Sequence, residues 1–419
     1  MKLPPIHLDA PAAIAFSGGG DSTALIHACR GNPHVTHAFI IDHALREGSR
    51  AEAENAASIA RAMGYIVKVR RWPHSGIASA IQAKARAYRY HAMGEMCRAH
   101  NLQTLLTAHT QDDQAETVLM RIDRGSGWRG MAGMPQTAYA PLWPALAGVT
   151  LYRPWLDVSR ADIWRYNSHH GLDFVDDPSN ENPDFARVRA RQALSVDDDL
   201  REDLLTQQKK ASQKLINERR THANWLTDHA VLHEQGYVET KAVPPSELLQ
   251  HILNAVSGRG GPIDAVKRKR LCTDMAGLDF NSATLSGAWV LRKPTADGHS
   301  FVFLRNRVAV LGRGGVPKLS PIQLTPNVPH VWDSRFMCTA KTSGIRVEPV
   351  QGHLQSLRQL SEFKPIFDLP AEVRGTLPLY FHKDIPIGYG TFESEKITST
   401  ACSASRLQGM FSSQDSVPN

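Results

Sequence analysis

Apolar residues in the first half of the chain fall into short, nearly unbroken runs separated by stretches of helical period. The runs Ala12–Phe16, Val35–Ile41, Ile66–Val69 and Thr104–Ala108 are rich in Ala, Val, Ile and Leu. Runs this short, without alternation, are the pattern of parallel strands covered on both faces. Between them Ser22–Arg30, Ala51–Met63 and Ala78–Arg98 carry apolar residues at helical spacing, and Gly64 stands where a C-terminal cap would fall. Strands alternating with helices predict a doubly wound, mostly parallel α/β sheet over residues 1–195.

After Ser195 the pattern changes. A polar helical stretch opens at Asp197-Asp198-Asp199 and carries Lys209, Lys210, Lys214, Arg219 and Arg220; it reads as a linking helix. Ser246–Val256 and Ile263–Leu278 read as helices. Ala283–Leu291 and Phe301–Leu304 read as strands joined through the turn signal Asp297-Gly298. From Leu319 the chain is proline-spaced and strand-like around Val331, Arg346–Val350 and Leu377–Phe381. The predicted division is a catalytic domain at 1–195, a helical/mixed domain at 196–317, a small β-rich C-terminal domain at 318–398, and a Ser-rich disordered tail at 399–419.

Ligands in such sheets bind at the carboxyl ends of the strands, and three polar stretches fall there. The first is Ser17-Gly18-Gly19-Gly20-Asp21-Ser22. Glycines let backbone N–H groups close on an anion, and the helix behind them adds unpaired donors and partial positive charge. A phosphate is the natural guest. No Lys follows, and the spacing is not that of a dinucleotide turn; a plain βα turn with Ser and Asp as helix caps is the alternative. The second stretch is Asp42-His43. The third is His109 to Asp113, with Glu116 one helical turn along. Carboxylates in a first turn serve as caps, hold Mg²⁺ through oxygen, or pair with a cationic substrate group. His109 suits a hydrogen bond to a phosphate or nucleotide, or a structural cap. Arg124-Gly125-Ser126-Gly127 places one arginine on a Gly/Ser turn, as a phosphate clamp would.

Composition narrows this further. A net charge of +7 with a pI near 9.2 favours a polyanionic partner. The cysteines Cys29, Cys97, Cys272, Cys338 and Cys402 are scattered, with no C-x-x-C pair, which argues against a zinc ribbon, an Fe–S site or a disulfide framework. Without a basic-then-apolar leader or a long apolar run, neither secretion nor membrane insertion is expected, and the predicted location is cytoplasmic.

Ser17–Ser22 after a first strand resembles the pyrophosphate loop of the N-type ATP pyrophosphatases, the PP-loop superfamily with its adenine nucleotide alpha-hydrolase-like fold. The run from Ala108 to Thr117, AHTQDDQAET, followed by DRGSGWRGMAGM, resembles the bacterial tRNA(Ile)-lysidine synthetases. Their usual form is His-His-x-Asp-Asp-Gln-x-Glu-Thr, then Arg-Gly-Ser-Gly. Ile41–Arg46, Ala83–Tyr90, Leu151–Leu156 with Arg160, Asp176–Asn180 and Phe185–Arg191 are similar to further segments of that family. The resemblance is dense from Ala12 to Leu194 and thin beyond, where Leu369–Gly390 carries most of it. Three departures stand out: Thr110 for the second His, Ala44 for a Gly and Val188 for an Asn.

The resemblance implies an ATP-dependent ligase. It adenylates the C2 oxygen of the wobble cytidine in the CAU anticodon of tRNA(Ile), and the lysine ε-amine then displaces AMP to give lysidine. Ser17, Gly18, Gly19, Gly20, Asp21, Ser22, Asp42, His109 and Arg124 would bind ATP; Asp112, Asp113 and Arg124 would act in catalysis, with Asp21 and Asp112 holding Mg²⁺. L-lysine would meet Asp113, Glu116, Asp177 and Arg191. Arg86, Arg89, Arg187, Arg189, Lys209, Lys210, Lys267 and Arg268 are candidates for tRNA contact, the alternative for each being a solvated basic face. No membrane partner is expected, and assembly as a homodimer is left open. The competing readings are a PP-loop tRNA thiolase or other base-adenylating tRNA enzyme, an amide-forming synthetase, and a non-catalytic nucleotide- or RNA-binding protein.

Overall fold

The computed structural model describes residues 3–74, 80–174, 186–312 and 319–412. The chain forms two compact units, the first running to Arg219 and the second covering Arg220–Phe411. In the first, strands β1 (Ala12–Ala15), β2 (Val35–Asp42), β3 (Ile66–Arg71), β4 (Thr104–Leu106), β5 (Thr137–Tyr139) and β6 (Thr150–Tyr152) build one sheet in the order β3-β2-β1-β4-β6-β5. All pairs are parallel except the edge pair of β5 with β6. The mostly parallel α/β sheet expected from the apolar runs is present. Strands β5 and β6 are additions that the run pattern did not separate from loop, each only three residues long.

Among the described residues, eight helices belong wholly or in part to this unit: α1 (Gly20–Ala28), α2 (Ser49–Ala62), α3 (Ile81–Ala99), α4 (Gln111–Asp123), α5 (Trp128–Met131), α6 (Arg160–His170), α7 (Ala186–Ser195) and α8 (Asp198–His229). The sheet is covered on both faces. Leu25 and Ile26 of α1, the alanines of α2, and Ile163 and Tyr166 of α6 bury Ile14 and Ile40 on one face. Tyr90, Met93, Met96 and Cys97 of α3 bury Ala13, Phe39, Leu105 and Leu151 on the other. A small third cluster, Ala115, Val118, Leu194 and Leu204, ties α4 to α7 and α8. The strand order reverses between β1 and β4. That switch point opens a crevice at the carboxyl ends of the two strands, where Ser17–Ser22 and His109–Asp113 both lie.

The second unit holds a five-stranded antiparallel sheet (230–232, 238–240, 298–305, 288–295, 282–285) packed under the helices Ser246–Ser257 and Ala265–Ala276. Two four-stranded antiparallel sheets come after it in the chain and enclose Trp332, Phe336, Ile345, Val347 and Tyr380. The predicted strand Ala283–Leu291 is two strands, because Ser286 and Gly287 turn the chain at φ 51° and 78°. The expected boundary near 195 falls inside the first unit, and the break at 317/318 lies outside the described residues; the second unit is continuous on either side of them. There Asp333 receives Arg305 at 2.7 Å and Arg335 at 2.6 Å, a buried ion cluster that ties the five-stranded sheet to the turn between strands Pro329–Trp332 and Phe336–Ala340. Of the tail predicted to be disordered at 399–419, the part up to 412 belongs to strand Ile397–Ala401 and helix Ser403–Ser412, and 413–419 lie outside the described residues. Leu407 is fully buried among the apolar residues of the five-stranded layer. A Ser-rich composition hid one well-placed leucine.

Gly94 shows how tightly α3 is packed. Alanine in a helix interior normally gains about 1 kcal/mol over glycine, but a Cβ at Gly94 would run into the Ala145 carbonyl. That carbonyl is itself pinned by Arg98 at 3.0 Å. Gly94→Ala is therefore expected to destabilise by about 1–3 kcal/mol, measured by urea unfolding; a stabilised variant would contradict this packing.

Candidate active site

Helix α4 is started by Thr110. Its hydroxyl accepts from the Asp113 N–H at 3.3 Å, and Asp113 Oδ2 accepts from the Thr110 N–H at 2.8 Å. This reciprocal capping box fixes the first turn and gives Thr110, one of the departures from the family pattern, a structural reason. It uses one oxygen of Asp113. The other faces Arg160 Nη2 at 3.0 Å and Arg187 Nη2 at 2.9 Å. This carboxylate caps the helix with one oxygen and pairs with two arginines of the chain through the other.

Glu116 lies one turn on, its side chain only 2% exposed. Arg187 Nε donates to it at 2.8 Å and Arg191 Nε at 2.9 Å, and Arg160 Nη1 approaches at 3.4 Å. Arg160 opens α6 behind the N-cap Ser159. Its backbone N–H donates to Asp112 at 2.7 Å and its Nε reaches Asp21 at 3.4 Å. One arginine thus touches the phosphate-loop helix and three acidic residues of α4. The Ser159-x-x-Asp162 helix start is legible in sequence; the reach of Arg160 across four carboxylates is not.

The charges respond as expected. Burial alone would lift the Asp113 carboxyl, but Arg187, then Arg160, outweigh it and hold it below the usual range. Burial likewise opposes charge on Arg160 and Arg187, and the surrounding carboxylates more than restore it. Asp21 behaves differently. Burial lifts it to about 6 despite Arg160, and its Oδ1 is buried without a partner. His109 bonds Thr107 at 2.8 Å, and burial together with nearby arginines presses it down to about 3, so it is a neutral imidazole.

The loop Ser17–Ser22 joins β1 to α1. Ser17 and Ser22 hydroxyls lie 3.1 Å apart, and Ser22 donates to the Gly19 carbonyl at 2.9 Å. Gly18 adopts φ +81°, a conformation that suits glycine. Asn167 of α6 donates to the Gly20 carbonyl at 3.0 Å, a support that the sequence did not single out. Asp42 is buried, accepting from the Ala44 N–H at 2.8 Å with Arg71 at 3.7 Å. Ala44 sits at φ 52°, in the left-handed region that explains the family's glycine there.

The other expected residues are placed less uniformly. Arg124 is exposed at the far end of α4, roughly 16 Å along the helix from Asp113 at 1.5 Å per residue, so the structure does not bring it to the carboxylates. Arg86 and Arg89 lie on α3 over the ring of Tyr90. Arg189, Lys209, Lys210 and Lys267 are exposed. Arg268 is not: it is 5% exposed and bonds Glu247 at 2.9 Å and Gln250 at 2.7 Å, so its guanidinium serves the helix pair and not a surface. Asp177 lies outside the described residues.

A profile of the PP-loop domain matches residues 8–197. The tRNA(Ile)-lysidine synthase of Hyphomonas neptunium is 35% identical over 305 residues, covering 70% of this chain and 82% of that protein. The chain belongs to the tRNA(Ile)-lysidine synthase family. The synthase of Wolbachia pipientis wMel is 28% identical over 87% of this chain and 85% of its own length. This extends the likeness well past the segment where sequence motifs were dense. The chain is an ATP-using enzyme of the ligase type. A U34-tRNA thiolase from Methanococcus maripaludis is similar at 13% identity and a TM-score of 0.40 over 50% of this chain and 72% of its own, a likeness too distant to weigh. The cysteines also speak against sulfur transfer: four are buried, and burial pushes the thiols of Cys29 and Cys97 up to about 12, away from the nucleophilic thiolate. Among the described residues no helix is long and apolar enough to cross a membrane.

Because the Asp21 pKa is raised, the folded state holds its proton more tightly than the unfolded chain. The stability tied to this group is full below the ordinary value of 3.8 and is lost as pH rises through about 6. Asp21→Asn is expected to raise the thermal midpoint of the ATP-free protein at pH 8 by a few degrees, the gap closing toward pH 4. Calorimetry across pH checks this, and an unchanged midpoint at pH 8 would count against a strained buried charge.

Proposed function

We propose that this chain activates the wobble cytidine of the CAU-anticodon tRNA(Ile) and joins L-lysine to it. The cytosine C2 oxygen attacks the α-phosphorus of ATP, and pyrophosphate leaves. The lysine ε-amine then adds at C2, the C2–O bond breaks, AMP departs with the oxygen, and the amine gives up its proton. The observation that carries this reading is a glycine-rich phosphate loop facing a carboxylate set across the switch point of the sheet. Family membership adds the tRNA.

Ser17–Ser22 would cradle the phosphates, aided by the N-terminus of α1. Mg²⁺ suits Asp21: its Oδ1 is buried and unanswered, and a cation would relieve it. Mg²⁺ is commonly held by one or two carboxylates with substrate phosphates, and when bound it screens the charge of ATP. Asp112 has one oxygen committed to the Arg160 N–H, which makes it a positioning group first. His109, neutral, is suited to donating or accepting a hydrogen bond with the nucleotide. Asp113 and Glu116 already hold guanidinium groups, and a lysine ammonium is the same kind of partner. Arg187, half-exposed, is the cation that lysine would replace, and Arg191 would stay on Glu116. Positioning and fixed charge, more than any single acid or base, would supply the rate. The cytoplasm is the compartment we assign.

Two measurements test this. Radiolabelled lysine should enter tRNA(Ile) transcripts with cytidine at the wobble position and not those with adenosine; no tRNA-dependent incorporation would overturn the reading. Glu116→Gln and Asp113→Asn should each raise the KM for lysine at least about tenfold while ATP–pyrophosphate exchange with tRNA persists, and wild-type lysine affinity in both would remove the lysine pocket from these residues. Mg·ATP affinity should fall as pH drops below about 6, the range where Asp21 takes up a proton, and Asp21→Asn should flatten that profile.

A further inference from the structure

Beside the carboxylate network, the same pole of the sheet carries arginines that no acid answers. Arg153 follows β6 directly and is 5% exposed. Its Nη1 donates to the Pro135 carbonyl at 2.7 Å, and its Nε is buried with no partner. Arg86 and Arg89 of α3 bring their Cζ atoms to 4.8 and 5.4 Å from the ring centroid of buried Tyr90. Among the described residues, none of these three arginines has a carboxylate within ion-pairing distance. This contrasts with Arg160, Arg187 and Arg191, each of which is paired.

Arg86 acts on both of the others, and all three neighbour Tyr90. Burial, and then Arg86 and Arg121 against the favourable Tyr90, bring Arg153 down to about 10. Burial lowers Arg89 as well, with Arg86 and Arg187 adding to it. Burying a charge without a counter-ion is costly, and of the three this applies to Arg153; Arg89 is half-buried and Arg86 exposed. Clustered positive charge without acid partners attracts an anion. Arg153 follows β6, and β4 lies between it and β1, a separation of two strand spacings or roughly 10 Å.

We propose that Arg153, Arg86 and Arg89 form a second anion subsite, which takes a backbone phosphodiester of the RNA next to the target cytidine while Ser17–Ser22 takes ATP. This rests on the tRNA reading above. A base must leave its stack to be adenylated, and an unstacked nucleotide stays in register only if its flanking phosphates are fixed. Planar guanidinium forks match two phosphate oxygens, and the Tyr90 ring limits where two of them can swing. Arg153 lies in the segment Leu151–Leu156 that resembles the family.

Arg86→Gln, Arg153→Gln and Arg153→Lys, made in the full-length enzyme, test the subsite. Arg86 is exposed and without an acid partner, so Arg86→Gln keeps the fold; a thermal melt accompanies the buried Arg153 variants. Each Gln variant is expected to raise the Kd for tRNA(Ile) about tenfold and to reduce the slope of log Kd against log salt by about 0.7–1. Arg153→Lys should recover part of the slope. The Kd for ATP, measured by calorimetry without tRNA, should stay within about twofold. An ATP or pyrophosphate Kd that rises with, or in place of, the tRNA Kd overturns the proposal and gives the cluster to the polyphosphate. An unchanged tRNA Kd and slope in folded variants overturns it as well. A wild-type enzyme that binds and modifies no tRNA fails the functional reading itself, which separates the two.

Discussion

Arg160 is the charge on which the carboxylate cluster at the carboxyl ends of the strands depends. It enters at the first turn of a helix, receives Asp21, Asp113 and Glu116 on its guanidinium, and gives its own N–H to Asp112. Four carboxylates converging on one crevice would repel one another strongly in a low-dielectric site. A single planar cation with five donors lets them converge. Arg187 and Arg191 complete the neutralisation from α7. The phosphate-loop helix and α4 are held in register by this cluster, because both contribute acids to the same arginine.

The neutralisation is uneven, and the unevenness is informative. Asp113 and Glu116 are saturated by guanidinium groups, whereas Asp21 keeps a buried oxygen with no partner. Among the described residues Arg153, Arg86 and Arg89 have no acid within ion-pairing distance. One carboxylate oxygen beside the glycine loop and the arginines that follow β6 and lie on α3 are thus the groups that the network leaves for ligands, as the two proposals above use them. Stability is spent at both places, as is common where burial serves binding.

Rigid support surrounds this pole. Gln114 exchanges two hydrogen bonds with Met134 at 2.8 and 2.7 Å, and Arg121 donates to the carbonyls of Gly130 and Gly133. Trp128 lies between Arg129 and Lys214, and Arg129 forks onto Glu218 of α8 at 3.1 and 2.7 Å. The Gly/Ser turn carrying Arg124 therefore springs from a fixed base while its tip is exposed. A glycine-rich turn is thus clamped at its root by residues up to about ninety positions away.

By itself, the sequence was enough for the alternation of buried strands with helices, the loop at Ser17–Ser22, the acids at 112, 113 and 116, and the family. These are local signals: apolar period, glycine spacing and helix-start chemistry depend on residues a few positions apart. It could not separate Ala283–Leu291 into two strands, see order in a Ser-rich tail, or tell buried Arg268 from exposed Lys267. Nor could it tell that Arg124 stands a helix length from the acids it was grouped with. Those outcomes, like the pairing of Arg160 and the isolation of Arg153, were decided by tertiary structure. Which charge meets which is set by strand order and helix direction, and Coulomb energy depends on the distance in space that those create, not on separation along the chain.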